Sequence, residues 1–127
     1  MKYKNVLLLD DDPDDAELFI TATKAVDEKI KSVVETNALD VLKKLNEATK
    51  FPDIIFLDYK MSYLDAGEFL ELLRSIKGLK NIPIVLYSGH SGEAVKDLIK
   101  KHKKLLFLKK QSSFSDSIES LKAIIIS

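Results

Sequence analysis

Val6-Leu-Leu-Leu-Asp-Asp-Asp-Pro13 passes from an unbroken apolar run through three carboxylates to a proline. A short apolar run with polar ends reads as a strand buried on both faces, the kind found inside a parallel sheet. Asp12 has the short acceptor side chain of a helix N-cap, and Pro13, lacking an amide proton, fits the first helical position. Asp14 and Asp15 then sit at the positive end of the helix dipole, and Leu18, Phe19, Ala22 and Val26 recur at helical spacing as its inward face. Strand, acidic turn and helix start are legible in one stretch.

The same punctuation recurs along the chain. Apolar runs return at Ile54 to Leu57, Ile84 to Tyr87 and Leu105 to Leu108, and a weaker one, Lys31 to Glu35, holds Val33 and Val34. Between them lie stretches of helical period. A second helix follows Asn37, with Val41, Leu42 and Leu45 on one face, and a third opens at Asp65 with Glu68 three residues on and stops at Gly78. Ser91 precedes a fourth helix carrying Val95, Leu98, Ile99 and His102. Ser115 or Asp116 starts a fifth with Ile118, Leu121 and Ile125. Five β-α units joined by right-handed crossovers give an α/β fold, a parallel sheet between two helical layers, with the strand order open at this point.

With 127 residues, 46% of them apolar and 31% charged, the chain has the size and composition of one globular domain. Twenty Lys plus Arg balance twenty Asp plus Glu. A neutral balance lacks the basic footprint of a nucleic-acid binder, so no nucleic-acid partner is expected. Cysteine is absent, which excludes disulfides, thiolate zinc sites and thiol catalysis. The N-terminus meets only four apolar residues before its acids, too few for a signal peptide or a membrane span, and the expectation is a cytoplasmic protein with no membrane partner.

In a parallel α/β sheet, ligands bind beyond the carboxyl ends of the strands. The polar residues there are Asp10 and Asp11 after the first run, Asp58 after the third, Ser88 after the fourth, and Lys109 and Lys110 after the fifth. Three converging carboxylates repel one another, and a hard cation resolves the conflict. Oxygen donors with room for waters and a phosphoryl oxygen suit Mg²⁺ better than a dedicated Ca²⁺ cage. A carboxylate can carry a phosphoryl group as an acyl phosphate while metal, hydroxyl and ammonium neutralise its oxygens. Strand alternation sends Lys109 and Lys110 to opposite faces, so one of them reaches the site, and Lys110 is preferred.

On these residues the chain resembles the receiver domains of bacterial response regulators. The matching stretches are Val6 to Pro13, Pro52-Asp-Ile-Ile-Phe-Leu-Asp-Tyr-Lys-Met61, Ile82-Pro-Ile-Val-Leu-Tyr-Ser-Gly89 and Phe107-Leu-Lys-Lys110. The resemblance implies a flavodoxin-like three-layer (βα)5 sandwich, with a five-stranded parallel sheet in the order 2-1-3-4-5, and a single receiver domain over residues 1–127 without an effector domain. It implies that Asp58 is the phosphoacceptor, that Asp11 binds Mg²⁺ directly and Asp10 assists through water, and that the Lys60 carbonyl is a third protein ligand. Ser88 resembles the switch hydroxyl, Lys110 the lysine that pairs with the phosphoryl group, and Phe107 the aromatic that changes rotamer on activation, although Phe107 reads equally well as simple packing under the fifth strand. Gly89 leaves that group room. The implied partners are a sensor histidine kinase or a histidine phosphotransfer protein and a downstream protein target, with the chain a monomer or weak homodimer. The implied activity is confined to its own phosphorylation and dephosphorylation.

Three places depart from the resemblance, one of them Ala66-Gly67, where a Gly directly after the Asp is more usual and a slight shift in the start of the third helix is expected. Ser62 and Gln111 stand where the family usually has prolines, and before Gln111 a cis peptide would cost about 3 kcal/mol, so a trans bond and a less rigidly held lysine are expected. Lys60 and His90 flank the site and read as solvated loop residues, with tuning of acyl phosphate hydrolysis as the alternative. Lys100-Lys-His-Lys-Lys104 complements the negative end of a helix dipole or offers a surface to an acidic partner. Ile124-Ile-Ile126 reads as the inward face of the last helix or a dimer contact. Two rival functions share these residues. One is a receiver-like module that binds its partner without phosphorylation. The other is a phosphatase of the haloacid dehalogenase type, whose Asp-x-Asp motif Asp10 and Asp12 resemble but whose late acidic pair has only Asp116 and Glu119 to draw on.

Overall fold

Every apolar run forms a strand: β1 (Asn5–Leu9), β2 (Lys31–Glu35), β3 (Ile54–Asp58), β4 (Ile84–Ser88) and β5 (Leu105–Lys109). The helices between and after them are α1 (Pro13–Val26), α2 (Ala38–Glu47), α3 (Ala66–Ser75), α4 (Glu93–Lys101) and α5 (Phe114–Ile125). The computed structural model describes residues 3–61, 65–89 and 92–126. The cap residues act as their chemistry predicts. Asp12 Oδ1 accepts from the Asp14 and Asp15 N–H groups, Asn37 Oδ1 from the Asp40 N–H, and Asp65 Oδ1 from the Glu68 N–H.

Two boundaries differ from the expectation. The fifth helix starts at Phe114, because Ser113 rather than Ser115 or Asp116 supplies the cap, its Oγ accepting from the Asp116 N–H at 3.1 Å. Successive serines made these positions chemically equivalent in the sequence. The third helix ends at Ser75, before Gly78, which serves the following turn instead: its φ is +99°, and a Cβ there would lie 2.5 Å from the Phe51 ring. The fourth helix starts at Glu93 behind Gly92, which has no side chain to cap it, while Ser91, the expected start signal, lies outside the described residues.

The sheet is parallel with strand order β2-β1-β3-β4-β5. Alternation divides its side chains between two cores. Leu7, Leu9, Ile55, Leu57, Ile84 and Leu86 pack with Val41 and Leu45 of α2, Phe69, Leu70 and Leu73 of α3, and Val95 of α4. Val6, Leu8, Ile54, Phe56, Val85 and Tyr87 pack with Phe19 and Ala22 of α1 and Leu121 and Ile125 of α5. This is the flavodoxin-like three-layer arrangement. β1, β3 and β4 are buried on both faces apart from Asn5, whereas the edge strands leave Val33 and Leu106 exposed. Leu18, expected inward, is exposed as well, because the buried stripe of α1 runs through Ala16, Phe19, Ala22 and Thr23 and leaves it at the margin. Of the three terminal isoleucines only Ile125 is fully buried. Among the described residues no helix is long and apolar enough to cross a membrane.

Arg74, in the last turn of α3, ties two loops to the sheet. Its guanidinium donates to the carbonyls of Leu79 (2.8 Å), Ile82 (2.6 Å) and Lys103 (2.8 Å). A planar fork reaches carbonyls on both loops at once, which a lysine cannot. Arg74→Ala is expected to lower the unfolding free energy by about 2–3 kcal/mol, with Arg74→Lys recovering under half of it, as measured by urea melts.

Candidate functional site

The order in which strands are added to the parallel sheet reverses after β2: β2 lies to one side of β1, and β3, β4 and β5 follow on the other. At such a switch point the loops leaving the two strands diverge and open a crevice. Asp10 and Asp11 leave β1 there and Asp58 ends β3, so that one carboxylate oxygen from each lies within 4.8 Å of the others. Asp10 and Asp58 are buried and Asp11 is exposed. Asp10 Oδ1 accepts from the Asp12 N–H at 2.9 Å, and Asp58 Oδ1 from the Lys60 N–H at 3.1 Å. The acids are held by the first turn of the loop behind each strand.

Among the described residues a single ammonium faces this cluster. Lys110 Nζ lies 2.8 Å from Asp15 Oδ2, 3.2 Å from Asp10 Oδ2 and 3.7 Å from Asp58 Oδ1. Parity decides why it is this lysine. Lys110 continues the side of Leu108, which packs in the α1–α5 core, whereas Lys109 turns to solvent. The backbone adds an anchor, the Lys110 N–H donating to the Ser88 carbonyl at 2.7 Å, and the ammonium also sits 5.4 Å above the Tyr87 ring. Among the described residues no peptide bond is cis, so the bond before Gln111 is trans as expected, and the side-chain amide of Gln111 donates to the Lys109 carbonyl. Ser62 lies outside the described residues, as does His90.

Burial pushes the Asp10 carboxyl up to about 6, the charge of Asp58 adding to the rise, and the Asp12 N–H and the nearby Lys110 charge only partly oppose it. Burial works against the charge of Lys110, but the Asp15 hydrogen bond and the charges of Asp10, Asp58 and Asp15 outweigh it and raise the amine above its ordinary value. The donor set is all oxygen, one member is open to solvent, and Asp10, Asp11 and Asp58 share with Asp15 the charge of one ammonium, which leaves anionic charge in excess and fits a hard divalent cation. In the metal-free protein, ionising Asp10 opposes folding. Its contribution is whole below the ordinary 3.8 and is lost as pH rises through about 6. In EDTA the unfolding free energy is expected to fall by about 1.4 kcal/mol between about pH 5 and pH 7.5 relative to Asp10→Asn, read by urea melts. Adding Mg²⁺ should restore it at the higher pH only.

Ser88 ends β4, 1% exposed. Beside it a Cβ on Gly89 would meet nothing within 4 Å, so the crevice is open on that side. Phe107 pairs with Leu86 across β4 and β5 and packs, half-buried, on the α2–α4 core. The structure therefore gathers Asp10, Asp11, Asp58, Lys60, Ser88 and Lys110 at one end of the sheet. Two contributors escaped the sequence reading. Tyr87 looked like an ordinary strand residue, and Asp15 looked like one more acid at a helix start. Yet Asp15 precedes Phe19 by four and Ala22 by seven, which places it half-buried at the end of the inward stripe of α1, on the side where Lys110 lies.

The response regulator receiver domain family model matches residues 6–122. The chain belongs to that family. As a receiver domain it is a signalling module of two-component systems rather than a conventional enzyme. The haloacid dehalogenase reading falls with this assignment, and Asp12, the second acid of that motif, is engaged as the α1 cap. The receiver is similar to the phosphorylated cyanobacterial phytochrome response regulator RcpA, with 22% identity and a TM-score of 0.82 over 96% of this chain and 91% of that one. The Mn²⁺-bound form of response regulator Rcp1 matches at 22% identity and a TM-score of 0.77, covering 95% and 91%. The receiver domain of the sensor histidine kinase PA1611 from Pseudomonas aeruginosa PAO1, with a magnesium ion coordinated in its active site cleft, matches at 14% and 0.75, covering 98% and 99%. At such identities these likenesses establish the fold. No curated protein sequence matches the receiver.

Proposed function

We propose that this receiver is a phosphorylation-dependent signalling switch whose phosphoacceptor is Asp58. The observation that carries the reading is the meeting of Asp10, Asp11 and Asp58 within 4.8 Å beside the Lys110 ammonium at the switch point of the sheet. Asp10, Asp11, Asp58 and the Lys60 carbonyl would hold Mg²⁺, which when bound neutralises charge on the acids and on an incoming phosphoryl group. A carboxylate oxygen of Asp58 attacks the phosphorus of a phosphohistidine on a kinase or phosphotransfer protein. The O–P bond forms as the N–P bond breaks, and the imidazole leaves with its electron pair and takes up a proton from water. Lys110 and the Ser88 hydroxyl donate to the phosphoryl oxygens. Turning of the Ser88 side chain vacates space beside β5, where Phe107 follows, and the altered α4–β5–α5 face binds a protein partner. The receiver thus works as one domain over residues 1–127, in the cytoplasm, and catalyses only its own phosphorylation and dephosphorylation.

The test is intact-mass spectrometry after incubation with Mg²⁺ and acetyl phosphate, beside an EDTA control. A Mg²⁺-dependent, alkali-labile gain of about 80 Da, one phosphoryl group, is the expected result. No gain in either condition overturns the proposal in favour of a receiver that binds its partner without phosphorylation.

A further inference from the structure

The shortest ion pair of Lys110 is with a residue outside the strand-end cluster. Asp15 Oδ2 lies 2.8 Å from Nζ, against 3.7 Å for Asp58 Oδ1. Asp15 is not part of the helix cap, since Asp12 Oδ1 receives both the Asp14 and Asp15 N–H groups, and its carboxylate is committed to the lysine. The seat is built on the α1 side, where Phe19, Ala22 and Tyr87 line a cavity of about 50 Å³ with Asp15 and Lys110, room for one or two water molecules. An ammonium has three N–H donors. Two are directed at Asp15 and Asp10, and Asp58 lies beyond hydrogen-bonding distance of the third.

We propose that Asp15 is a positioning residue that holds Lys110 on the α1 side until a phosphoryl group on Asp58 draws the ammonium away. This rests on the phosphoacceptor reading of Asp58. A phosphoryl group adds about −1.5 to −2 of charge and three acceptor oxygens, enough to outbid one carboxylate for a cation a short pivot away. Asp15 thereby raises the threshold for switching, because each recruitment of Lys110 breaks the Asp15 pair. Removing the Asp15 charge favours the phosphorylated arrangement through Lys110 alone.

The experiment measures beryllofluoride, a phosphoryl mimic, by ¹⁹F NMR in saturating Mg²⁺ on the parent, Asp15→Asn, Lys110→Met and the double variant, with the Lys110 ammonium followed by ¹H–¹⁵N NMR. Asp15→Asn is expected to bind beryllofluoride about fivefold more tightly, the worth of a partly exposed ion pair. The same change in the Lys110→Met background should have no effect. Unchanged or weaker binding, or equal tightening without the lysine, overturns the inference, since a general field effect would act in both backgrounds. If the parent binds no beryllofluoride, the phosphoacceptor reading itself fails. The hold on Lys110 is then judged by its ammonium signal, which must shift in Asp15→Asn; an unchanged signal shows that Asp15 does not hold it.

Discussion

Asp58→Asn is expected to abolish the 80 Da gain from acetyl phosphate (about one phosphoryl group) while making the metal-free protein more stable. The two effects have separate causes. Asparagine cannot form an acyl phosphate, so the covalent product disappears whatever happens to the fold. Stability rises because the Asp58 charge is one of the influences that push Asp10 upward, and an amide of the same shape removes that repulsion. The lost attraction to Lys110 is the weakest of its three, at 3.7 Å, and the pairs at 2.8 Å and 3.2 Å persist. A net gain of about 1 kcal/mol at about pH 7.5 in EDTA is expected from urea melts, together with Mg²⁺ binding weakened about tenfold or more by calorimetry. A residue that only packed the strand end would lose stability on substitution. Loss of the covalent product together with lower stability would therefore point to a disrupted site rather than a missing nucleophile.

The reach of the sequence followed from how many independent physical demands fell on each stretch. Val6 to Pro13 had to satisfy a buried strand, a cap and a proline at once, and its boundaries came out within a residue. Asp10, Asp11, Asp58, Ser88 and Lys110 were legible because the carboxyl-end rule for α/β sheets needs only strand ends, and fully apolar strands mark theirs clearly. Strand parity said only that one of Lys109 and Lys110 reaches the site, and the position of Lys110 beside Asp10 and Asp58 decides between them. What stayed hidden depended on partners distant in the chain. Arg74 looked like a basic residue at a helix end until the β4 and β5 loops brought three carbonyls to it. Asp15 has a sequence partner ninety-five residues away. The start of α5 was unreadable for a different reason: adjacent serines offer nearly equal caps, and packing of Ile118, Leu121 and Ile125 chooses among them.

Lys110→Met tests the opposite side of the same balance, and here a large loss of stability is expected. The stem of a methionine fills much of the space over Tyr87, but the ammonium is the only cation within 4.0 Å of Asp10 and Asp58 among the described residues. Removing one partner of a buried pair leaves an uncompensated charge, at a cost of about 3 kcal/mol, and Asp10, with no exposed surface, bears most of it. The pH dependence separates charge from packing. At about pH 5 Asp10, already raised to about 6 with the lysine present, takes up a proton and the penalty largely vanishes; at about pH 8 it is fully felt. Mg²⁺ should reverse the loss at the higher pH, since a cation at a hundred times its dissociation constant contributes about 2.7 kcal/mol and no longer competes with an ammonium for the acids. Urea melts at the two pH values, with EDTA or Mg²⁺, give four numbers. A deficit equal in all four would mean that Lys110 supports the fold by packing, and the electrostatic account of the site would fail with it.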